Sequence, residues 1–341
     1  MFNESTMTLR EYSQRLGNIS DEQLQAALSY FDLGEFLSAE PIPFGLFGQN
    51  LFVTSTAGEF VLRGVPHYDW QFPTEKFFTE QLHAKTSVPV PYPYRYNSSP
   101  EIFGWGFVIM PKMPGLQLAD SQVVARLSMD ERRGVARALA ATLIEIQTLT
   151  WEFSGRYNTA TQMIEPMSQD YRSWIVQRIR ELITQAQSYN ENTSASDAAW
   201  VENIIEQTAH ACLAPYQPCL VLEDYKEPNV VVTQDETGWQ VSGVFDLMTA
   251  HFGDGEADLA RQVGSYLRET SELADEFVQF YLNNKVLQPG FAERQQLYML
   301  YDSLIIWSFW QGHAGGLPED KTLALEQWAG PFVAYWEKYK I

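Results

Sequence analysis

The sequence of 341 residues predicts an α+β protein of two lobes, a small β-rich N-terminal lobe over residues 1–111 and a larger, mostly helical lobe over 112–341. Three observations lead to this expectation. The length exceeds the roughly 100–200 residues usual for one domain. Between Pro41 and Pro111 short β-rich runs are punctuated by glycine and proline, whereas beyond Met113-Pro114-Gly115 apolar residues recur at helical spacing. A hydrophobic content of 45% against 19% charged residues, with 10 Trp, 17 Tyr and 20 Phe, supplies enough apolar surface for more than one core.

Taken in order, residues 20–33 open with the capping-box pattern Ser20-x-x-Gln23 and carry Leu24, Leu28 and Phe31 at helical spacing, which predicts a helix ahead of the sheet. Runs at 51–55 and 59–63, separated by Thr56-Ala57-Gly58, predict a β-hairpin preceded by a glycine-containing loop. Residues 74–86 read as a helix that stops at Val88-Pro89-Val90-Pro91, because proline lacks a donor and forces its predecessor extended. The run IFGWGFVIM at 102–110 predicts a short apolar strand. In the larger lobe Ser128-x-x-Glu131 begins a helix whose apolar stripe is Val135, Leu139, Leu143 and Ile146, and another helix is expected over 171–187. The polar stretch SYNENTSASD at 188–197 predicts a mobile loop. A helix over 198–213 and strands at 219–222, 229–232 and 239–245 follow, and the chain from Asp258 onward reads as helical and aromatic-rich. No repeat of solenoid length is visible.

Composition excludes several classes of function. With 23 Lys+Arg against 43 Asp+Glu the net charge is -20, a field that repels nucleic acid and anionic membrane and draws cationic molecules. No apolar run approaches the ~18 residues of a membrane span, and MFNESTMTLREYSQRL lacks the basic and apolar regions of an export signal. Cys212 and Cys219 alone form neither a zinc motif nor a disulfide framework, so a reducing cytoplasmic location is expected. The 5 His show no H-E-x-x-H spacing and no G-x-S-x-G elbow occurs, which argues against metallohydrolase and serine hydrolase chemistry.

The chemistry concentrates in LVLEDYKEPNVVV, then GVFDL, then HFGDGEADLA. Asp224 and Asn229 stand five positions apart ahead of a hydrophobic strand, and Asp246 ends the next strand. Phosphoryl transfer needs such a set: a carboxylate to take or orient the proton of the attacking hydroxyl, and hard oxygen ligands for the Mg²⁺ that bridges phosphates. Asp224 suits the first role, and Asn229 with Asp246 the second.

These segments resemble the aminoglycoside phosphotransferase and choline kinase-like family, whose catalytic segment reads H-G-D-x-x-x-x-N, followed by a strand-borne Asp and by G-D-x-x-x-D-L-A. Asp224 and Asn229 match the first element, Asp246 the second, and Gly253 to Ala260 the third, over a resemblance extending from about 40 to 310. It implies a protein-kinase-like fold with ATP or GTP between the lobes, Mg²⁺, and a small-molecule hydroxyl acceptor, for which the acidic field favours a cation. A monomer or a homodimer fits equally. Phe44 to Val53 is similar to the family's nucleotide-positioning loop, so Gly45 and Gly48 would let backbone amides approach phosphate, with Gln49 and Asn50 as polar contacts.

Arg63 stands where many relatives carry Lys, and a guanidinium can hold α/β-phosphates with bidentate geometry. The resemblance makes Glu75 its helix partner, with Glu80 as the alternative; five positions apart, they point to different helix faces. Met110 and Lys112 would bring backbone groups to the adenine edge, and Asp258 would hold the catalytic loop by backbone hydrogen bonds. Acceptor contacts are expected from Asp254, Tyr301, Asp302, Trp310 and Gln311. Two positions depart from the pattern: Leu222 and Glu223 replace the family's His and Gly, so the bracing that the imidazole provides must come from elsewhere. All base and metal positions remain, which favours an active enzyme over its alternative, a pseudokinase that binds nucleotide or metabolite without turnover.

Overall fold

A computed structural model describes residues 9–43, 48–318 and 320–340. The described residues begin with an antiparallel hairpin of β1 (Leu9–Ser13) and β2 (Gly17–Ser20), which sequence patterning did not signal. Helix α1 (Asp21–Tyr30) follows, and both halves of its capping box form: the Ser20 hydroxyl accepts from Gln23 N–H at 3.2 Å and Gln23 Oε1 accepts from Ser20 N–H at 2.9 Å. The helix stops before residue 33 because Asp32 turns the chain through a left-handed φ of 56°.

Next come β3 (Phe36–Pro41), β4 (Asn50–Ser55), β5 (Gly58–Gly64), α2 (Gln71–Lys85), β6 (Arg95–Asn97) and β7 (Phe107–Pro111). The strands form one antiparallel sheet in the order β3-β4-β5-β7-β6. Leu51, Val53, Leu62, Phe107 and Ile109 face a core shared with Leu24, Leu28 and Ile19, while Val108 and Met110 on the other face pack with Phe72 and Tyr94. Helix α2 starts earlier than expected, tolerating Pro73 because the first turn needs no amide donor there. The strand expected from residue 102 begins only at Phe107. Residues 101–104 form a turn in which Gly104 N–H bonds Pro100 C=O at 2.7 Å, and Phe103 stacks on Trp105 at 4.6 Å. The apolar run therefore serves an aromatic loop packed on the core, not a strand.

Beyond it lie β8 (Leu116–Gln117), α3 (Ser121–Val124), α4 (Met129–Ile146), β9 (Gly155–Asn158), β10 (Met163–Pro166), α5 (Tyr171–Tyr189) and α6 (Ala195–Thr208). The stretch 188–197 is not a long loop: it is the end of α5 and the capped start of α6, with residues 190–194 between them. Ser194 and Asp197 form a reciprocal capping box at 3.1 and 2.8 Å, Asn192 Nδ2 donates to the carbonyls of Gly315 and Lys321, and Thr193 Oγ1 accepts from Trp307 Nε1 at 2.9 Å. Residues too polar to build a core can still build caps and turns.

Then follow β11 (Cys219–Val221), β12 (Val230–Asp235), β13 (Gly238–Val244), β14 (His251–Gly253), α7 (Asp258–Leu267), α8 (Ser271–Asn284), α9 (Phe291–Ala314) and α10 (Leu325–Ala334). By compactness the chain divides into two units. The first takes residues up to 128 together with 157–163 and 227–250, and the second takes 129–156, 164–226 and the chain from 251 on. The sequence places one lobe boundary at 111, whereas the β12–β13 hairpin joins the first unit through β8, with Val231 paired to Gln117. In the second unit α9 is the central helix, contacting α5, α6, α7 and α10 and burying Leu297, Leu300, Leu304 and Trp307. Among the described residues no helix is long and apolar enough to cross a membrane.

Candidate active site

In the first unit the sheet and α2 bring three charged side chains together. Arg63, near the end of β5, points to α2, where Nη1 meets Glu75 Oε1 at 3.2 Å and Oε2 at 3.1 Å. Its Nη2 bonds Asp246 Oδ1 at 3.0 Å. Glu75 is 2% exposed and fully engaged, since Oε2 also accepts from Tyr94 OH at 2.6 Å and Oε1 from the backbone N–H groups of Asp246 and Leu247 at 3.1 and 3.2 Å. Burial opposes the charge on Arg63, but Glu75 and Asp246 outweigh it and hold the guanidinium above its ordinary value. Burial likewise pushes Glu75 up, with Arg63 opposing. Glu80 instead faces outward in an i,i+4 pair with Lys76.

Asn229 and Asp246 flank the same end of the β12–β13 hairpin. Val230 pairs with Val244, and Phe245 N–H bonds the Asn229 carbonyl at 2.9 Å, so both side chains issue from the same end of that ladder. Asp246 has a left-handed φ of 66°, a conformation that costs a non-glycine residue roughly 1–2 kcal/mol. Among the described residues no three His, Cys, Asp or Glu side chains cluster as a metal site. A carboxylate and a carboxamide oxygen nevertheless suit Mg²⁺, which takes few protein ligands and completes its shell with water and phosphate oxygens.

In the second unit the segment 222–224 is held from several sides. Asp258, 1% exposed at the start of α7, accepts the backbone N–H groups of Leu222 and Glu223, each at 2.7 Å. Burial pushes its carboxyl up to about 7, against the two amide bonds that favour the charge. Glu223 has a φ of 68° and accepts from Tyr301 OH of α9 at 2.7 Å. Asp224 Oδ1 receives Lys226 Nζ at 2.8 Å and lies 3.2 Å from Arg261 Nε, which in turn sits 2.9 Å from Asp302 Oδ1. A cavity of about 10 Å³, room for a single water, is lined by Glu223, Asp258, Arg261, Tyr301 and Asp302 together with Tyr171 and Tyr298.

The remaining expected residues are distributed more widely. Gly48 is left-handed at φ 55° and its carbonyl accepts from the Ser13 hydroxyl. Gln49 is buried, and Asn50 pairs with Arg63 across β4 and β5. The Phe44 to Phe47 part of the loop, with Gly45, lies outside the described residues. Met110 is buried on β7, while Lys112 Nζ bonds Glu59 at 2.9 Å and lies over the Phe52 ring. Asp254 is enclosed in a different cluster, accepting from Arg172 Nη2 at 2.6 Å and Tyr298 OH at 2.7 Å. Gln311 is buried too, its Oε1 accepting from Asn190 at 2.8 Å and Asn192 at 3.3 Å. Trp310 and Gln311 stand nine positions along α9 from Tyr301 and Asp302, about 13 Å of helical rise. Sequence reasoning overlooked Lys226 and Arg261. Arg261 carried one signal, its position three residues after Asp258 and hence on the same helix face.

A strand-borne cation is clasped by a helix-borne glutamate, with an aspartate at the end of a later strand on the same cation. The chain belongs to the phosphotransferase enzyme family (APH), whose profile matches residues 38–297. A thermostable variant of aminoglycoside phosphotransferase APH(4)-Ia, solved with ADP and hygromycin B, superposes with a TM-score of 0.65 at 16% identity, covering 90% of this chain and 96% of that one. Aminoglycoside 2'-phosphotransferase-IIIa in complex with GDP gives 0.62 at 14% identity, covering 96% and 98%. At such identity the likeness establishes the fold. Homoserine kinase of Neisseria meningitidis is 42% identical over 45 residues, 13% of this chain and only 15% of that protein's length.

Proposed function

We propose that the chain transfers the γ-phosphoryl group of ATP or GTP to a hydroxyl of a small molecule. The observation that carries this reading is the single cluster of Arg63, Glu75 and Asp246, with Asn229 at the same hairpin end as Asp246. Arg63 binds nucleotide phosphates and Glu75 fixes its orientation. Asn229 and Asp246 hold Mg²⁺, which when bound neutralises charge on the phosphate oxygens. Asp224 takes the proton of the acceptor hydroxyl. Solved relatives with ADP and with GDP support a purine nucleotide of either kind, and relatives named for aminoglycosides and homoserine support a small-molecule acceptor. The acidic surface favours a cationic one.

The test is a screen of hydroxyl acceptors with labelled ATP and GTP, on wild type, Asp224→Asn and Asp246→Asn. Asp224→Asn is expected to keep nucleotide affinity while transfer falls by roughly two to four decades. Asp246→Asn is expected to lose both transfer and the Mg²⁺-dependent rise in melting temperature with nucleotide. No transfer to any acceptor class by wild type, with nucleotide binding intact, would replace this reading by that of a pseudokinase.

A further inference from the structure

We propose that Arg261 and Asp302 are positioning residues for Asp224, and that they supply the bracing which Leu222 and Glu223 do not. The inference rests on the phosphoryl-transfer reading with Asp224 as proton acceptor. Helix α7 grips the catalytic segment twice. Asp258 takes the backbone N–H groups of residues 222 and 223, and one turn later Arg261 Nε reaches the Asp224 carboxylate at 3.2 Å. Arg261 is itself drawn toward α9 by charge, since Asp302 Oδ1 lies 2.9 Å from the same nitrogen, which directs a hydrogen bond at neither carboxylate.

The side chains of Arg261 and Asp302 are 14% and 8% exposed, so their attraction acts in a poorly screened setting, while that of Asp224 is 26% exposed and faces the water its substrate would displace. Asp302 therefore acts through the Arg261 charge on where the Asp224 carboxylate rests. Lys226, two residues on, holds the same Oδ1 and does not replace this anchor, because its flexible stem is rooted in the segment being positioned.

Misplacing a reacting group by about 1 Å costs up to 10²-fold in rate. Asp302→Asn and Arg261→Lys are each expected to lower kcat by roughly tenfold to hundredfold, with the nucleotide KM within about twofold of wild type. In the Asp224→Asn background the same substitutions should lower the residual rate by less than about threefold, since no carboxylate remains to be placed. A full additional loss there would show a role independent of Asp224 and overturn the proposal. The pair Arg261→Met with Asp302→Asn guards against a folding failure caused by a lone buried charge. Melting temperatures of the Arg261→Lys and Asp224→Asn single and double variants provide a readout that needs no turnover. Coupled sites give non-additive shifts, and additive shifts would reject the contact even if the transfer reading itself failed in the acceptor screen.

Discussion

Each unit of the molecule holds one partly exposed carboxylate beside an arginine whose other partner is a buried carboxylate. In the first, Arg63 lies between buried Glu75 and Asp246, whose side chain is 31% exposed. In the second, Arg261 lies between buried Asp302 and half-buried Asp224. The two differ in how completely the anchor is satisfied. Glu75 accepts from one guanidinium, one phenol and two backbone amides. Asp302 has the Arg261 contact, with the charges of Arg268 and Lys226 assisting and burial pushing its carboxyl up. A saturated anchor survives the loss of any one contact, whereas a singly tethered one depends on its one partner.

The contrast breaks most visibly at Glu75. Glu75→Ala leaves the buried Arg63 guanidinium with Asp246 alone and two amides unpaired, and is expected to cost about 3–5 kcal/mol in chemical denaturation, while Glu80→Ala, which removes an exposed pair, should stay within about 0.5 kcal/mol. Equal losses for both would mean that Glu75 is not the saturated anchor.

Asp258 sharpens the comparison through pH. With its carboxyl raised to about 7, the folded protein retains a proton that the unfolded chain releases near pH 4, so the corresponding stability is complete at low pH and is lost as pH rises toward about 7. The unfolding free-energy advantage of wild type over Asp258→Asn in chemical denaturation should therefore shrink between pH 5 and pH 7.5, by on the order of a few kcal/mol. A growing advantage would show that the two amide bonds dominate and keep the group ionised throughout.

The smallest expected effect lies at Glu223. Glu223→Gly loses the Tyr301 bond but relieves a left-handed backbone, whereas Glu223→Ala loses the bond and keeps the strain, so the glycine variant should be the more stable of the two by about 1 kcal/mol. Equal melting points would place the backbone of residue 223 outside that region in solution.

The Arg63–Glu75 pair, twelve residues apart, is legible through the family resemblance, whereas the contact of Arg63 with Asp246, 183 positions on, is set by the fold. Asp258 is similarly legible within its motif. Arg261 with Asp224, and Tyr301 with Glu223, join residues 37 and 78 positions apart on elements whose rotation about their own axes no periodicity fixes. Stretch 188–197 misleads for another reason. Serine and asparagine are as common in hydrogen-bonded caps as in loops, and only the spacing Ser194-x-x-Asp197 tells them apart. The strand expected at 102–106 fails because aromatic residues supply a core equally well from a loop.

The left-handed backbones at Glu223 and Asp246 differ in what mutation can offer them. Aspartate and glutamate codons each lie a single base from a glycine codon, so relief of the strain is always within one mutational step. At Asp246 that step deletes the proposed metal ligand and closes the route. At Glu223 it deletes only a side chain tied to Tyr301, so position 223 is where a stability screen of random variants should first find glycine, and where any accompanying change in transfer would show what the glutamate contributes.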